Sequence, residues 1–272
     1  MSDQIDIFCL SYKNEKRKDY ITQLFAKQNV PVQFYAGVDY TTDPRIVGRP
    51  LEENTKRCWS IMYGHLDMLR LFVSGNKPYG IFCEDDIIVR KDFSEHLPRF
   101  IENFKELNLD VLLLSCLCSN PEFTKYSNFP ELPLVQRAQH STLETHSTLK
   151  THPTLKTHPT LKTHPPLKTH PFKYYAYDSN PESCVWGTQM YMLHLDQAKF
   201  ILDKYSGDYA DRTIHDKTLV HFSADWTITK EGQKALIYPL VAIEKNDATY
   251  DDSGQEVCRQ LCYRNFYSED IF

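Results

Sequence analysis

Short apolar runs alternate with stretches of helical periodicity along the first hundred or so residues. This is the pattern of strand and helix units stacked into an open α/β sheet. IDIFCL, from Ile5 to Leu10, reads as a buried first strand. Lys16 to Gln28 sets Tyr20, Ile21, Leu24 and Phe25 on one helical stripe with charges opposite, and Pro31 closes that region. VQFYAGVD is a second strand ending at Gly37 and Asp39. Asn54 is expected to cap a long helix running to about Val73, because Trp59, Met62, Leu66, Leu69 and Val73 recur at spacings of three and four. Tyr79 to Cys83 is a third strand, Asp92 to Phe104 a helix and Asp110 to Cys116 another buried strand. Strands regularly followed by helices imply a mainly parallel sheet with helices on both faces.

The pattern breaks near residue 138 and resumes at Phe172. Between them STLETH, STLKTH, PTLKTH, PTLKTH and PPLKTH follow one another over residues 141 to 170. A six-residue period with one Leu per copy cannot offset the entropy of ordering, so the tract reads as a disordered or extended insertion in a single domain. His140, His146, His152, His158, His164 and His170 are spaced by two turns of a polyproline helix, a pattern open to adventitious metal binding or to a tolerated surface insertion. After it, GTQMYMLHL is strand-like, a helix starts near Asp196, HFSADWTIT is an acidic-centred loop and ALIYPLVAIEKND a final strand. The aromatic tail from Cys258 packs back on the domain.

Composition narrows the partners. A formal charge of -5 leaves no basic field for a phosphate backbone, so nucleic acid is not expected. No stretch approaches 18 apolar residues, so no transmembrane segment is expected and the simplest localisation is cytoplasmic. Of the eight cysteines, most sit in apolar runs as small hydrophobes; Cys258 and Cys262 share a helical spacing but lack a second pair for a zinc site.

The sharpest chemical signal is YGIFCEDDIIV, where Glu84, Asp85 and Asp86 interrupt a buried strand. Buried carboxylates need partners. At the carboxyl end of a parallel strand, where open α/β sheets bind ligands, they call for basic side chains or a hard divalent cation such as Mn²⁺ or Mg²⁺. Such a cation lets acids approach a diphosphate and neutralises its charge on departure. The structural alternative is an acidic turn whose aspartates cap a neighbour. Downstream, Asp225 sits between Ala224 and Trp226 among apolar residues, where a carboxyl pKa rises toward working pH as a general base requires. Trp226 can floor a sugar by stacking. A helix N-cap for Asp225 and a core anchor for Trp226 are the structural alternatives; His65 reads more often as a satisfied helix histidine than as a ligand, and His221 reads as a cation ligand or equally as a packed polar group.

In order, these segments resemble glycosyltransferase family 25, the lipooligosaccharide and collagen galactosyltransferase-like group. IFCLSYKNEKRKDYITQLF with VQFYAGVD looks like its opening strand, Arg-containing helix and Gly-x-Asp strand end. CWSIMYGHLDMLR is similar to its Ser-His helix, YGIFCEDDIIV to its acidic metal segment and WGTQMYMLHLDQAKFIL to its Gly-x-x-x-Tyr strand and helix. SADWTIT resembles its acceptor-side Asp segment and YPLVAIEKND its Pro-Leu-Val strand. Two departures stand out: Gly64 precedes His65 where the family has Ser, and DATYDDSG replaces the Ser-Asp-Ile expected after the last strand.

The resemblance implies a GT-A type fold and hexose transfer from a nucleotide-sugar, UDP-galactose or UDP-glucose, to a glycan, lipid or protein acceptor, with inversion. Carried over by position, it sets Ser11, Asp39, His65 and Asp85 at the donor, Glu84 and Asp86 at the cation, Trp226 and Gly187 at the acceptor sugar, and Asp225 as the base. Two other readings stay open. A metal nucleotidyltransferase or phosphohydrolase would need a second acid cluster, for which Asp247, Asp251 and Asp252 are the candidates. A catalytically dead transferase fold would serve as a binding module, with the Thr-His-Pro tract as its arm.

Overall fold

The structure, a computed structural model, describes residues 4–118, 129–134, 172–178, 185–245 and 253–272. The hexad tract and the Asp247, Asp251 and Asp252 cluster lie outside the described residues.

The chain starts with β1 (Ile5–Ser11), α1 (Glu15–Lys27) and β2 (Gln33–Ala36). Asn14 caps α1 by accepting from the Arg17 N–H at 3.1 Å, and Ile21 and Phe25 fill its buried stripe. Helix α2 (Glu53–Ser74) follows the predicted spacing, but its N-cap is Glu52 rather than Asn54, which lies in the first turn. Then come β3 (Tyr79–Glu84), β4 (Ile87–Val89), α3 (Phe93–Glu106), β5 (Val111–Leu113), β6 (Leu117–Cys118) and β7 (Lys173–Ala176). The C-terminal part holds β8 (Val185–Trp186), β9 (Met190–His194), α4 (Leu195–Tyr205), α5 (Tyr209–His215), α6 (Ala224–Thr227), β10 (Lys234–Tyr238), β11 (Ala242–Glu244) and α7 (Ser253–Phe266).

A seven-stranded sheet of order β2-β1-β3-β9-β5-β10-β7 forms the centre. Strands β2, β1, β3, β5 and β10 run one way, whereas β9 and β7 oppose their neighbours. The α/β class is as expected. The sheet is mainly parallel in strand direction, with β9 entering its middle antiparallel, between β3 and β5, and β7 antiparallel at the edge. The single final strand divides into β10, which joins the large sheet, and β11, which pairs with β4 in a separate two-stranded ribbon.

Alternation along each strand sends side chains to two apolar layers. Phe8, Leu10, Phe82, Leu113 and Tyr191 pack on one face with α2, α4 and α7; Ile7, Cys9, Cys83, Leu112 and Met190 pack on the other with α1 and α3. Helices therefore cover both faces, as predicted. The C-terminal helix packs on β6 and β11, and the Cys262 Sγ lies 3.4 Å from the Cys116 carbonyl oxygen. Among the described residues, no helix is long and apolar enough to cross a membrane.

Candidate active site

The carboxyl ends of β2, β1 and β3 and the amino end of the opposing β9 lie along one edge of the large sheet. Ser11 ends β1, Glu84 ends β3, and Thr188 and Gln189 lead into β9. The three consecutive acids part company there: Glu84 is the last residue of β3, and Asp85 and Asp86 lie in the turn that follows it.

Asp85 turns toward the α1 face. Its Oδ2 accepts from the Ser11 hydroxyl at 2.7 Å, and its Oδ1 lies 3.4 Å from Arg17 Nη1. Burial lifts its pKa above the usual carboxylate range, against the Ser11 hydrogen bond and the Arg17 charge. Asp86 shares the same Arg17 Nη1 at 3.4 Å, while its Oδ1 is buried without a hydrogen-bond partner among the described residues. Burial, reinforced by the charges of Glu84 and Glu244, raises Asp86 well above the usual range. Glu244 ends β11, and its carboxylate meets Arg259 of α7 at 2.5 Å. Burial still lifts Glu244 from 4.5 to about 7, despite that guanidinium.

Glu84 turns the other way, toward α2. Its Oε1 accepts from the Thr188 hydroxyl at 3.0 Å and lies 3.5 Å from His65 Nε2. His65 is fully buried, and its Nδ1 is 2.9 Å from the Tyr191 hydroxyl. Burial pushes Glu84 up, but His65, Thr188 and Arg17 outweigh it and hold the carboxyl below its ordinary value.

Thr188 continues this array to Asp225. Its hydroxyl oxygen is 3.2 Å from Asp225 Oδ1, which also accepts from the Gly187 N–H at 2.9 Å. Asp225 is therefore not an N-cap: Ser223 occupies that position, and Asp225 is the second residue of α6. Burial and the Glu84 charge raise the Asp225 pKa. Gly187 sits tightly, since a Cβ would meet Leu113 Cδ1 at 3.0 Å and the Ser115 carbonyl oxygen at 3.1 Å. Trp226 pairs edge to face with Trp186 at 4.8 Å, and both rings are partly exposed beside Asp225. Asp39 lies in the turn after β2, which the Gly37 N–H ties to the Ser11 carbonyl at 2.9 Å. It accepts from Lys13 Nζ at 2.6 Å and from the Thr41 N–H at 2.9 Å, which hold its carboxyl low.

Ser11, His65, Glu84, Asp85, Asp86, Gly187 and Asp225 thus converge on one sheet edge, with Trp226 beside them. Arg17, Thr188, Trp186 and Glu244 were missing from the sequence reading. Arg17 is the charged residue of the helix following the first strand, and Glu244 ends an apolar run much as Glu84 does; Thr188 carries no comparable signal. Among the described residues, no three His, Cys, Asp or Glu side chains gather as a preformed metal cage.

An α/β sheet with acids recessed at its carboxyl edge defines an enzyme architecture that binds charged ligands at strand ends. The model of glycosyltransferase family 25 (LPS biosynthesis protein) matches residues 4–212, and the chain belongs to that family. It is a glycosyltransferase, which excludes the nucleotidyltransferase and phosphohydrolase readings and implies a sugar donor and an acceptor. Asp225, β10, β11 and α7 lie beyond the matched stretch. Among curated proteins, none matches the chain. Among solved structures, one match is the crystal structure of a glycosyltransferase involved in the glycosylation of the major capsid of PBCV-1. It is 10% identical, with a TM-score of 0.34, over 86% of this chain and 80% of that one. At that score, the reading of the site rests on this chain's own residues.

Proposed function

We propose that the protein moves a hexose from a nucleotide-sugar, UDP-galactose or UDP-glucose, to a glycan, lipid or protein acceptor, with inversion at the anomeric carbon. The observation that carries this reading is the division of one acidic triplet between two settings. Asp85 and Asp86 face the Ser11 and Arg17 side, and Glu84 faces the His65, Thr188 and Asp225 side.

On the first side, Asp86 would hold Mn²⁺ or Mg²⁺, with Glu84 as the neighbouring acid. Its unpartnered Oδ1 and its raised pKa are what a cation relieves. Bound there, the cation supplies charge neutralisation for the departing diphosphate. Ser11, Asp39 and Asp85 belong to the donor half, where Arg17 is within reach of the same diphosphate charge, and His65, also a donor residue by resemblance, stands on the Glu84 side.

On the second side, Asp225 takes the proton of the acceptor hydroxyl as its oxygen forms the new bond to the anomeric carbon. The bond from that carbon to the diphosphate oxygen breaks, and its electron pair leaves with the nucleoside diphosphate. A carboxyl whose pKa is raised by burial suits a base working near neutrality. Trp226, braced by Trp186, and the Gly187 backbone border the acceptor sugar.

The test is a screen of UDP-sugars with Mn²⁺ and with chelator. Turnover of UDP-galactose or UDP-glucose that needs the cation and disappears in Asp86→Ala supports the reading. A folded protein that neither binds nor turns over these donors overturns it in favour of a binding module.

A further inference from the structure

Helix α6 is four residues long, and the Ser223 side chain makes no cap hydrogen bond to it. A single turn fixes several dihedrals for very few hydrogen bonds, so α6 depends on packing, with Ala224 and Thr227 buried and the Thr227 hydroxyl against Met62. The Asp225 carboxylate is in addition gripped by the connection between β8 and β9. Trp186 meets Trp226 edge to face, the Gly187 N–H donates to Asp225 Oδ1, and the Thr188 hydroxyl approaches the same Oδ1 at 3.2 Å. Three consecutive residues of one segment grip two consecutive residues of the other.

Thr188 has a second contact that the other two lack. Its hydroxyl oxygen is also 3.0 Å from Glu84 Oε1, at the end of β3, and the residue is 3% exposed. A hydroxyl carries one proton, so it donates to one carboxylate at a time and is held between the two. The β-branched side chain limits χ1, which keeps the oxygen at that point.

We propose that Thr188 is a positioning residue that ties Asp225 to Glu84, fixing the base against the end of the central strand β3. The inference rests on the reading of Asp225 as the base. Thr188 itself touches neither substrate. Its hydroxyl keeps a carboxylate on a one-turn helix in register with a carboxylate on a central strand, and small displacements of a catalytic group reduce turnover more than binding.

The test compares wild type, Asp225→Asn, Thr188→Val and Thr188→Ser in transfer assays with UDP-galactose and UDP-glucose in the presence of Mn²⁺, with melting curves as the folding control. Asp225→Asn is expected to lower kcat by about a hundredfold or more. Thr188→Val, which keeps the shape and removes the hydroxyl, is expected to lower kcat by about tenfold to a hundredfold with donor KM within about threefold. Thr188→Ser is expected to restore most of the rate. Wild-type rates in Asp225→Asn, or no turnover of either donor by the wild type, would overturn the base reading and this inference with it. An inactive Asp225→Asn beside a fully active Thr188→Val would overturn the role of Thr188 alone. If Thr188→Val does not fold, Thr188→Ala takes its place under the same criteria. A Thr188→Ser variant as slow as the valine variant would show that the hydroxyl is not what matters.

Discussion

The two halves of the site start from adjacent residues of one strand end and hold their carboxylates by opposite means. On the Asp85 and Asp86 side the Arg17 guanidinium is shared by two aspartates, and among the described residues one buried oxygen of Asp86 has no hydrogen-bond partner. On the Glu84 side the carboxylate is enclosed by Thr188 and His65, and the array runs on to Asp225 through neutral donors. The first arrangement leaves Asp86 with a strongly raised pKa, and the second holds Glu84 below its ordinary value. That contrast separates a half suited to a cation and a diphosphate from a half suited to a fixed base.

The largest expected effect comes from breaking the second half. Asp225→Asn keeps the shape and removes the base, so transfer should fall by about a hundredfold to ten-thousandfold. The wild-type rate should also fall on acidification, because protonation through the raised pKa of Asp225 removes the base. A pH profile of kcat/KM whose acid limb stays at an ordinary aspartate value would contradict a raised pKa for this half-buried carboxyl.

The first half is sharpened through Glu244. In the folded protein its pKa is lifted from 4.5 to about 7, so the native state keeps a proton that the unfolded chain has already lost. The native state binds the extra proton, so in chelator stability should fall as pH rises from 4.5 through 7, by a total on the order of 3 kcal/mol. Glu244→Gln should flatten that slope in denaturant titrations. Parallel pH dependences of the two proteins would show that Arg259 already neutralises Glu244.

The smallest effect tests the departure at Gly64, beside His65. A Cβ there would meet Leu10 Cδ1 at 2.7 Å, so glycine lets α2 lie close against β1. Gly64→Ala gains about 1 kcal/mol of helix propensity and loses about 1–3 kcal/mol to overpacking. A net loss of about 1 kcal/mol in chemical denaturation is expected, with donor affinity little changed. A stabilised variant would mean that Leu10 moves aside freely.

Periodicity made most of the scaffold legible. The stripes of α1, α2 and α3 and the apolar runs of β1, β3 and β5 are each set by contacts local enough to leave a spacing in the chain. Strand direction leaves no such trace: the apolar run of β9 reads the same whether it enters the sheet parallel or antiparallel. The one-turn helix α6 is too short for a period and was expected as a loop. Within the site, the acidic triplet and Asp225 were legible because charged residues interrupt apolar runs. Thr188 was not, because its meaning lies in partners 104 and 37 residues away. Arg17 and Glu244 fell between, plain as residue types but tied to the acids only by the fold.

The division of the triplet is tested most directly by thermal shift with UDP and Mn²⁺ on two variants side by side. A ligand raises stability by an amount set by its concentration over its dissociation constant. Asp225→Asn should keep the wild-type shift while losing transfer, and Asp86→Asn should lose the Mn²⁺-dependent part of the shift. Equal shifts in the two variants, or their loss in Asp225→Asn alone, would contradict the assignment of cation and base to separate halves of the site.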